Sequence, residues 1–173
     1  MVQMEISGAA SARHRGSGSA ALTLDFGVVR CFGSADIGRQ GLGHGWSAPE
    51  DAHCWNDGPE VKLTLAAARP DFRCVLVVEG TPLVGAARAA QDMTLYVNGW
   101  RLGFWRLTDA SSVQLETMID PGHWQIHGLE GLLDIAFHLP GSLRLSTVEP
   151  HGDDRELGFC FRTLALLPVP HDN

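Results

Sequence analysis

Met93-Thr94-Leu95-Tyr96-Val97-Asn98-Gly99-Trp100-Arg101-Leu102-Gly103-Phe104-Trp105 is the stretch from which the fold can be read. Asn-Gly between two alternating runs favours a two-residue type I′ turn, because both central positions need positive φ. A two-residue loop pairs Val97 with Trp100, Leu95 with Leu102 and Met93 with Phe104. All six are apolar, so this register makes them the core face and places Trp100 in the core. The opposite face then carries Thr94, Tyr96, Arg101, Gly103 and Trp105, an aromatic pair with an arginine on a polar surface.

Period-two patterns continue outward in both directions. Leu22, Leu24, Phe26 and Val28 alternate with polar or glycine positions, and Val61, Leu63 and Leu65 alternate with Glu60, Lys62 and Thr64. Residues 72–78 are almost wholly apolar and predict a central strand covered on both faces. Val113, Leu115 and Thr117 form another alternating set, as do Leu133, Ile135, Phe137 and Leu139. Leu143 and Leu145 predict a short strand. Phe159 and Phe161 take one parity and Leu164 and Leu166 the other, which predicts a bulge near Arg162-Thr163. Helical signals are weak. Residues 83–91 have some propensity but are short and contain Gly85. Asp120-Pro121 could start one turn, with Asp120 as N-cap. The expectation is an all-β, jelly-roll-like antiparallel β-sandwich of about nine strands with little helix.

The 173 residues carry 13 basic and 20 acidic side chains, a net charge of −7. An acidic chain without a basic run is a poor partner for nucleic acid or an anionic membrane surface. No run is long enough to insert into a membrane. Residues 1–20 read as a flexible leader, 21–169 as a single sandwich domain and 170–173 as a tail. Cys31, Cys54, Cys74 and Cys160 lack close C-x-x-C spacing, so a zinc knuckle is not expected. Without an export signal they read as reduced cytoplasmic thiols, with Cys31, Cys74 and Cys160 acting as small core residues.

The loop Gly43–Gly58 concentrates chemistry beside a strand: Trp46, Glu50, Trp55 and Asp57, with His44 and His53. Sugar C–H faces stack on exposed aromatic rings while carboxylates and arginine bind hydroxyls. Trp46, Trp55, Tyr96 and Trp105 with Glu50, Asp57 and Arg101 are therefore the ligand-binding candidates. The competing reading makes Trp46 and Trp55 plugs of the sandwich mouth and Glu50 a clamp on loop amides. His44, Glu50 and His53 have no metal-site spacing, and His123 and His127 would need a longer helix to converge. No nucleophile elbow, phosphate loop or acid pair stands out, so no catalytic residue, metal or cofactor is assigned.

Three blocks in order carry a family resemblance: Gly45-Trp46-Ser47-x-Pro49-Glu50 with Trp55-x-Asp57-Gly58, the 97–105 hairpin, and Asp153-Asp154-Arg155-Glu156-Leu157-Gly158-Phe159. The chain resembles, over roughly residues 22–168, the carbohydrate-binding-like β-sandwich segments attached to bacterial glycosyltransferases and polysaccharide-biosynthesis proteins. It departs from them in having Asn56 where serine is usual and no glycosyltransferase domain within its 173 residues. The resemblance implies a non-catalytic module partnered by a glycan or a glycosyltransferase-type protein. Two alternatives stand beside it: an assembly protein that homo-oligomerises through its sheet faces, and an enzyme using Glu50 with His44 or His53.

Overall fold

The computed structural model describes residues 21–125, 130–149 and 151–169. Among these residues nine strands form two antiparallel sheets. β1 (Val29–Cys31), β2 (Cys54–Trp55), β4 (Cys74–Pro82), β7 (Val113–Ile119) and β9 (Phe159–Pro168) make one sheet, in the order β1-β9-β4-β7 with β2 also on β9. β3 (Glu60–Ala66), β8 (Leu132–His138), β5 (Gln91–Val97) and β6 (Trp100–Leu107) make the other, in the order β3-β8-β5-β6. Among the described residues helix is confined to the single turn α1 (Ile37–Gln40) and two 3-10 turns, Pro121–Trp124 and Leu145–Thr147.

The alternating side chains of both sheets meet in one core. Phe137, Phe159 and Phe161 are fully buried, with ring centroids 4.8 Å apart across the Phe137–Phe161 and Phe159–Phe161 pairs. Val61, Leu63, Leu65, Leu133, Ile135 and Leu139 fill the space beneath them, as their periodicity requires. Arg162 is the extra residue where β9 passes β4: Glu79 pairs with Thr163 and Gly80 with Phe161. The expected bulge is therefore present, and it turns Leu164 and Leu166 back into the core.

The hairpin turn also forms as expected, with φ of 51° at Asn98 and 80° at Gly99. Its register does not hold. Val97 pairs with Trp100 and Tyr96 with Arg101, but Leu95 then pairs with Gly103, leaving Leu102 as a bulge. Beyond it every side chain changes face. Phe104 turns outward and is 53% exposed, while Trp105 turns inward and packs on the core. Two features hold this arrangement, one tertiary and one local. Thr117 on the facing sheet donates its hydroxyl to the Leu102 carbonyl at 2.7 Å. Trp105 lies over Gly103, where a Cβ would stand 2.1 Å from the indole. Trp100, expected in the core, instead sits at the hairpin tip, 54% exposed and 5.4 Å from the His123 ring.

Other expectations need correction. Leu22–Val28 is held to both sheets by bridges at Thr23 and Phe26, and Gly27 at φ 77° ends the run, so β1 begins only at Val29 and Val28 is exposed. β4 is central, but only one face is covered: Val75 and Val77 are half-buried and look outward. Leu143 makes one bridge to Leu157, and the chain then enters a 3-10 turn rather than a strand. Residues 83–91 contain a tight Gly85–Arg88 turn followed by the start of β5. Asp120 does cap one turn, through a reciprocal capping box with His123. Cys31 is half-buried rather than core, and Cys54 is fully buried in its place.

Candidate functional site

The seven candidates fall in three separate places. Trp46 and Trp105 are half-buried and pack against the core. Trp46 stacks on Phe32 at 5.2 Å, meets Phe161 edge-on at 4.9 Å, and donates its indole N–H to the Lys62 carbonyl at 2.7 Å. Gly45 makes this turn: φ is 83°, and a Cβ would stand 1.9 Å from the Glu60 carbonyl oxygen.

Glu50, Trp55 and Asp57 share the end of the sandwich where β2 joins β9. Trp55 is half-buried on the outer side, paired across from Cys160. Glu50 is exposed and meets His53 Nε2 at 3.0 Å and Arg155 at 3.9 Å. Asp153 grips Arg155 with both carboxylate oxygens, at 2.6 to 3.1 Å. The Arg155 side chain and backbone N–H hold the Asp153 carboxyl below the usual carboxylate range. Asp57 accepts from the Glu156 N–H at 2.8 Å. These charges are largely satisfied by one another, so the cluster ties loops together. Glu50 does clamp, but through side chains rather than amides.

Between these loops lies Asn56, which is fully buried. Its Oδ1 accepts from the N–H groups of Gly158 and Phe159 at 2.9 and 2.7 Å. Its Nδ2 donates to the Gly58 and Glu156 carbonyls and to the Ser142 hydroxyl, at 2.8 to 3.0 Å. The sequence marks Asn56 only as a departure from the family pattern, since nothing local distinguishes a knot from a turn asparagine.

Tyr96 and Arg101 lie on the outer face of the four-stranded sheet. There the register sets Lys62, Ala136, Tyr96 and Arg101 side by side on four strands, β3, β8, β5 and β6. Two strand spacings separate Lys62 from Tyr96, about 10 Å. Ala136 between them has only a methyl group, so the row sinks into a trough. Its open volume is about 250 Å³, lined by Glu60, Lys62, Tyr96, Gly99, Asp134 and Ala136. The neighbouring row runs Glu60, His138, Thr94 and Phe104. Arg101 lies over the Phe104 ring, 5.6 Å from its centroid. The aromatic–arginine surface expected from the sequence thus exists, with Phe104 in the place given to Trp105.

Lys62 is the chain's single lysine and Tyr96 its single tyrosine. Lys62 Nζ meets Glu60 at 2.9 Å, and this hydrogen bond raises its pKa and keeps the ammonium charged. Asp134 accepts from the Thr64 hydroxyl at 3.2 Å, and Asn98 Oδ1 accepts from the Asp134 N–H at 2.8 Å. The trough therefore offers an aromatic phenol, an ammonium and carboxylates around a small floor, the mixture that orients hydroxylated ligands. Among the described residues no three His, Cys, Asp or Glu side chains gather as a metal site. His44 is exposed, and His127 lies outside the described residues.

No family model matches the chain, and no curated protein matches it. Solved structures do. The CBM36-1 domain of a multidomain xylanase, from the hindgut metagenome of Trinervitermes trinervoides, matches 83% of this chain and 98% of its own length. Identity is 10% and the TM-score 0.50. A family GH115 4-O-methyl-α-glucuronidase matches 98% of this chain at 9% identity and TM-score 0.50, and the chain spans 20% of that enzyme. A family 35 carbohydrate-binding module from an environmental isolate matches 73% of the chain at 12% identity and TM-score 0.38. At such identities the likeness is one of fold. The chain has the β-sandwich architecture seen in carbohydrate-binding modules.

Proposed function

We propose that the protein is a non-catalytic carbohydrate-binding module, and that one sugar ring of its glycan rests over Ala136 in the trough of the four-stranded sheet. The observation that carries this is the cross-strand row Lys62–Ala136–Tyr96–Arg101, with Phe104 beside it. Tyr96 and Phe104 offer faces to sugar C–H groups, while Glu60, Asp134, Lys62 and Arg101 bond hydroxyls. We place its work beside bacterial polysaccharide-synthesis or glycosyl-transfer enzymes, which would supply the glycan. Free thiols at all four cysteines support a reducing, cytoplasmic setting.

The single lysine supplies the assay. Reductive ¹³C-methylation labels only Lys62 and the chain's amino terminus. A panel of cell-surface glycans is titrated while the Lys62 methyl resonance is followed. Saturable movement that Tyr96→Ala abolishes is expected. A resonance unmoved by every glycan that calorimetry shows to bind would place the sugar elsewhere, and no binding by any glycan would sink the reading.

A second reading, self-association, draws on the outer face of the five-stranded sheet. Val29, Met118 and Leu167 are 62, 44 and 39% exposed there, beside half-buried Val75 and Val77. Light scattering behind size exclusion tests it: a discrete oligomer broken by Met118→Lys supports this reading, and a monomer at high concentration ends it.

A further inference from the structure

A second pocket, of about 220 Å³, opens between the segment linking β4 to β5 and the segment after β8. Leu83, Val84, Ala87, Leu143 and Leu145 give it apolar walls, and Arg88 is the cation in its lining. Backbone bonds between Gly85 and Arg88, 2.7 and 3.0 Å, close the turn that carries the arginine. The Arg88 Nη1 donates to the side-chain oxygen of Gln91, which is fully buried. Gly141 and Gly158 make room for this pair. A Cβ on Gly141 would lie 2.8 Å from the guanidinium, and one on Gly158 would lie 2.8 Å from the Gln91 oxygen.

Arg88 makes no ion pair among the described residues. Asp92, whose charge it feels, turns instead to Arg106 at 3.7 Å. A partly desolvated cation held by a neutral amide lacks the anion that normally offsets its burial. Burial accordingly lowers the Arg88 pKa.

We propose that this pocket binds a small aliphatic monocarboxylate, its carboxylate on the Arg88 guanidinium and its chain among Leu83, Leu143 and Leu145. The volume equals about seven water volumes at roughly 30 Å³ each, which suits a ligand of about eight non-hydrogen atoms. Glu149, also in the lining, disfavours a second carboxylate on the ligand. The site is separate from the sugar trough and does not depend on that reading.

Hexanoate is the probe, added to ¹⁵N-labelled protein, with hexylamine and adipate as comparators. Saturable amide shifts across residues 83–88 and 143–149 are expected with hexanoate, with a dissociation constant on the order of 1 mM or tighter. Affinity should fall at least tenfold for adipate and for the Arg88→Gln variant. Leu145→Trp, which narrows the pocket and adds no charge beside the Arg88–Gln91 pair, should abolish binding even if Arg88→Gln fails to fold. Tyr96→Ala should leave hexanoate binding intact. Equal shifts with hexylamine would mean an apolar pocket only and would overturn the proposal. So would undiminished binding in a folded Arg88→Gln protein, or no shift at all.

Discussion

Replacing Asn56 by alanine removes the five hydrogen bonds through which its side chain ties residues 58, 142, 156, 158 and 159 together. The cost can be worked from the partners left behind. Gly158 and Phe159 are buried, and their N–H groups lose their acceptor. An unsatisfied buried donor costs about 1–3 kcal/mol, so the pair implies about 2–6 kcal/mol. The Gly58 and Glu156 carbonyls belong to half-buried residues that water can reach, and add little. The expected loss is a large share of the ~5–15 kcal/mol typical of a domain, and at about 2–4 °C per kcal/mol lowers the melting temperature by about 4–24 °C. Urea unfolding followed by tryptophan emission reads the value. Asn56→Asp is the sharper variant. It keeps the acceptor but presents a carboxylate to two carbonyl oxygens, so its folded pKa rises above the unfolded one. A raised carboxyl pKa means stability is greatest below the unfolded value and declines as pH climbs through the folded value. The deficit of Asn56→Asp against wild type should therefore shrink on acidification, while that of Asn56→Ala stays level. A loss under about 1 kcal/mol for Asn56→Ala, or a pH-independent deficit for Asn56→Asp, would refute the knot.

Gly103→Ala should displace the Trp105 indole, costing about 1–3 kcal/mol as an overpacked core does; near-ultraviolet dichroism reads the displacement and unfolding the cost. Burial pushes the Cys74 and Cys160 thiols up to about 11. At pH 8 both stay protonated, so a disulfide reagent should modify half-buried Cys31 first and reach the other thiols only in denaturant. The Asp153 carboxyl is held below the usual range, so its contribution is complete above about pH 4 and is lost as pH falls through the folded value. Protection of the Arg155 amide, which donates to Asp153 at 2.8 Å, against its intrinsic exchange rate should fall over that acid range; protection unchanged in Asp153→Ala would count against the tie.

The sandwich was legible because period-two patterning states which face of a strand is wet. The β9 bulge was legible for the same reason. Phe159 and Phe161 on one side of Arg162, and Leu164 and Leu166 on the other, satisfy a core only if one residue is skipped. In β6 the pattern pointed the wrong way: Trp100, Leu102 and Phe104 share one parity, while the other carries Trp105 beside Arg101 and Gly103. The Thr117–Leu102 bond, which comes from distant chain, decided it together with the room that Gly103 leaves for Trp105. Tyr96 and Arg101 could be placed on one surface because a two-residue turn joins their strands. Lys62 and Ala136 could not, since pairing β3 with β8 and β8 with β5 spans many tens of residues. The loop tryptophans were ambiguous because an indole closing a sandwich and one stacking on sugar share the same neighbours in sequence.

The Leu102 bulge makes β6 a two-position selector. Whether the ladder skips a residue before Gly103 decides which aromatic ring meets solvent and which packs on the core, with no change in either ring. Descendants of such a strand can swap a phenyl platform for an indole platform by losing the bulge at unchanged length. The core loses a large ring and regains one in the same event. A binding surface of this kind can change its character by slippage, a faster route than the paired substitutions a regular strand would demand.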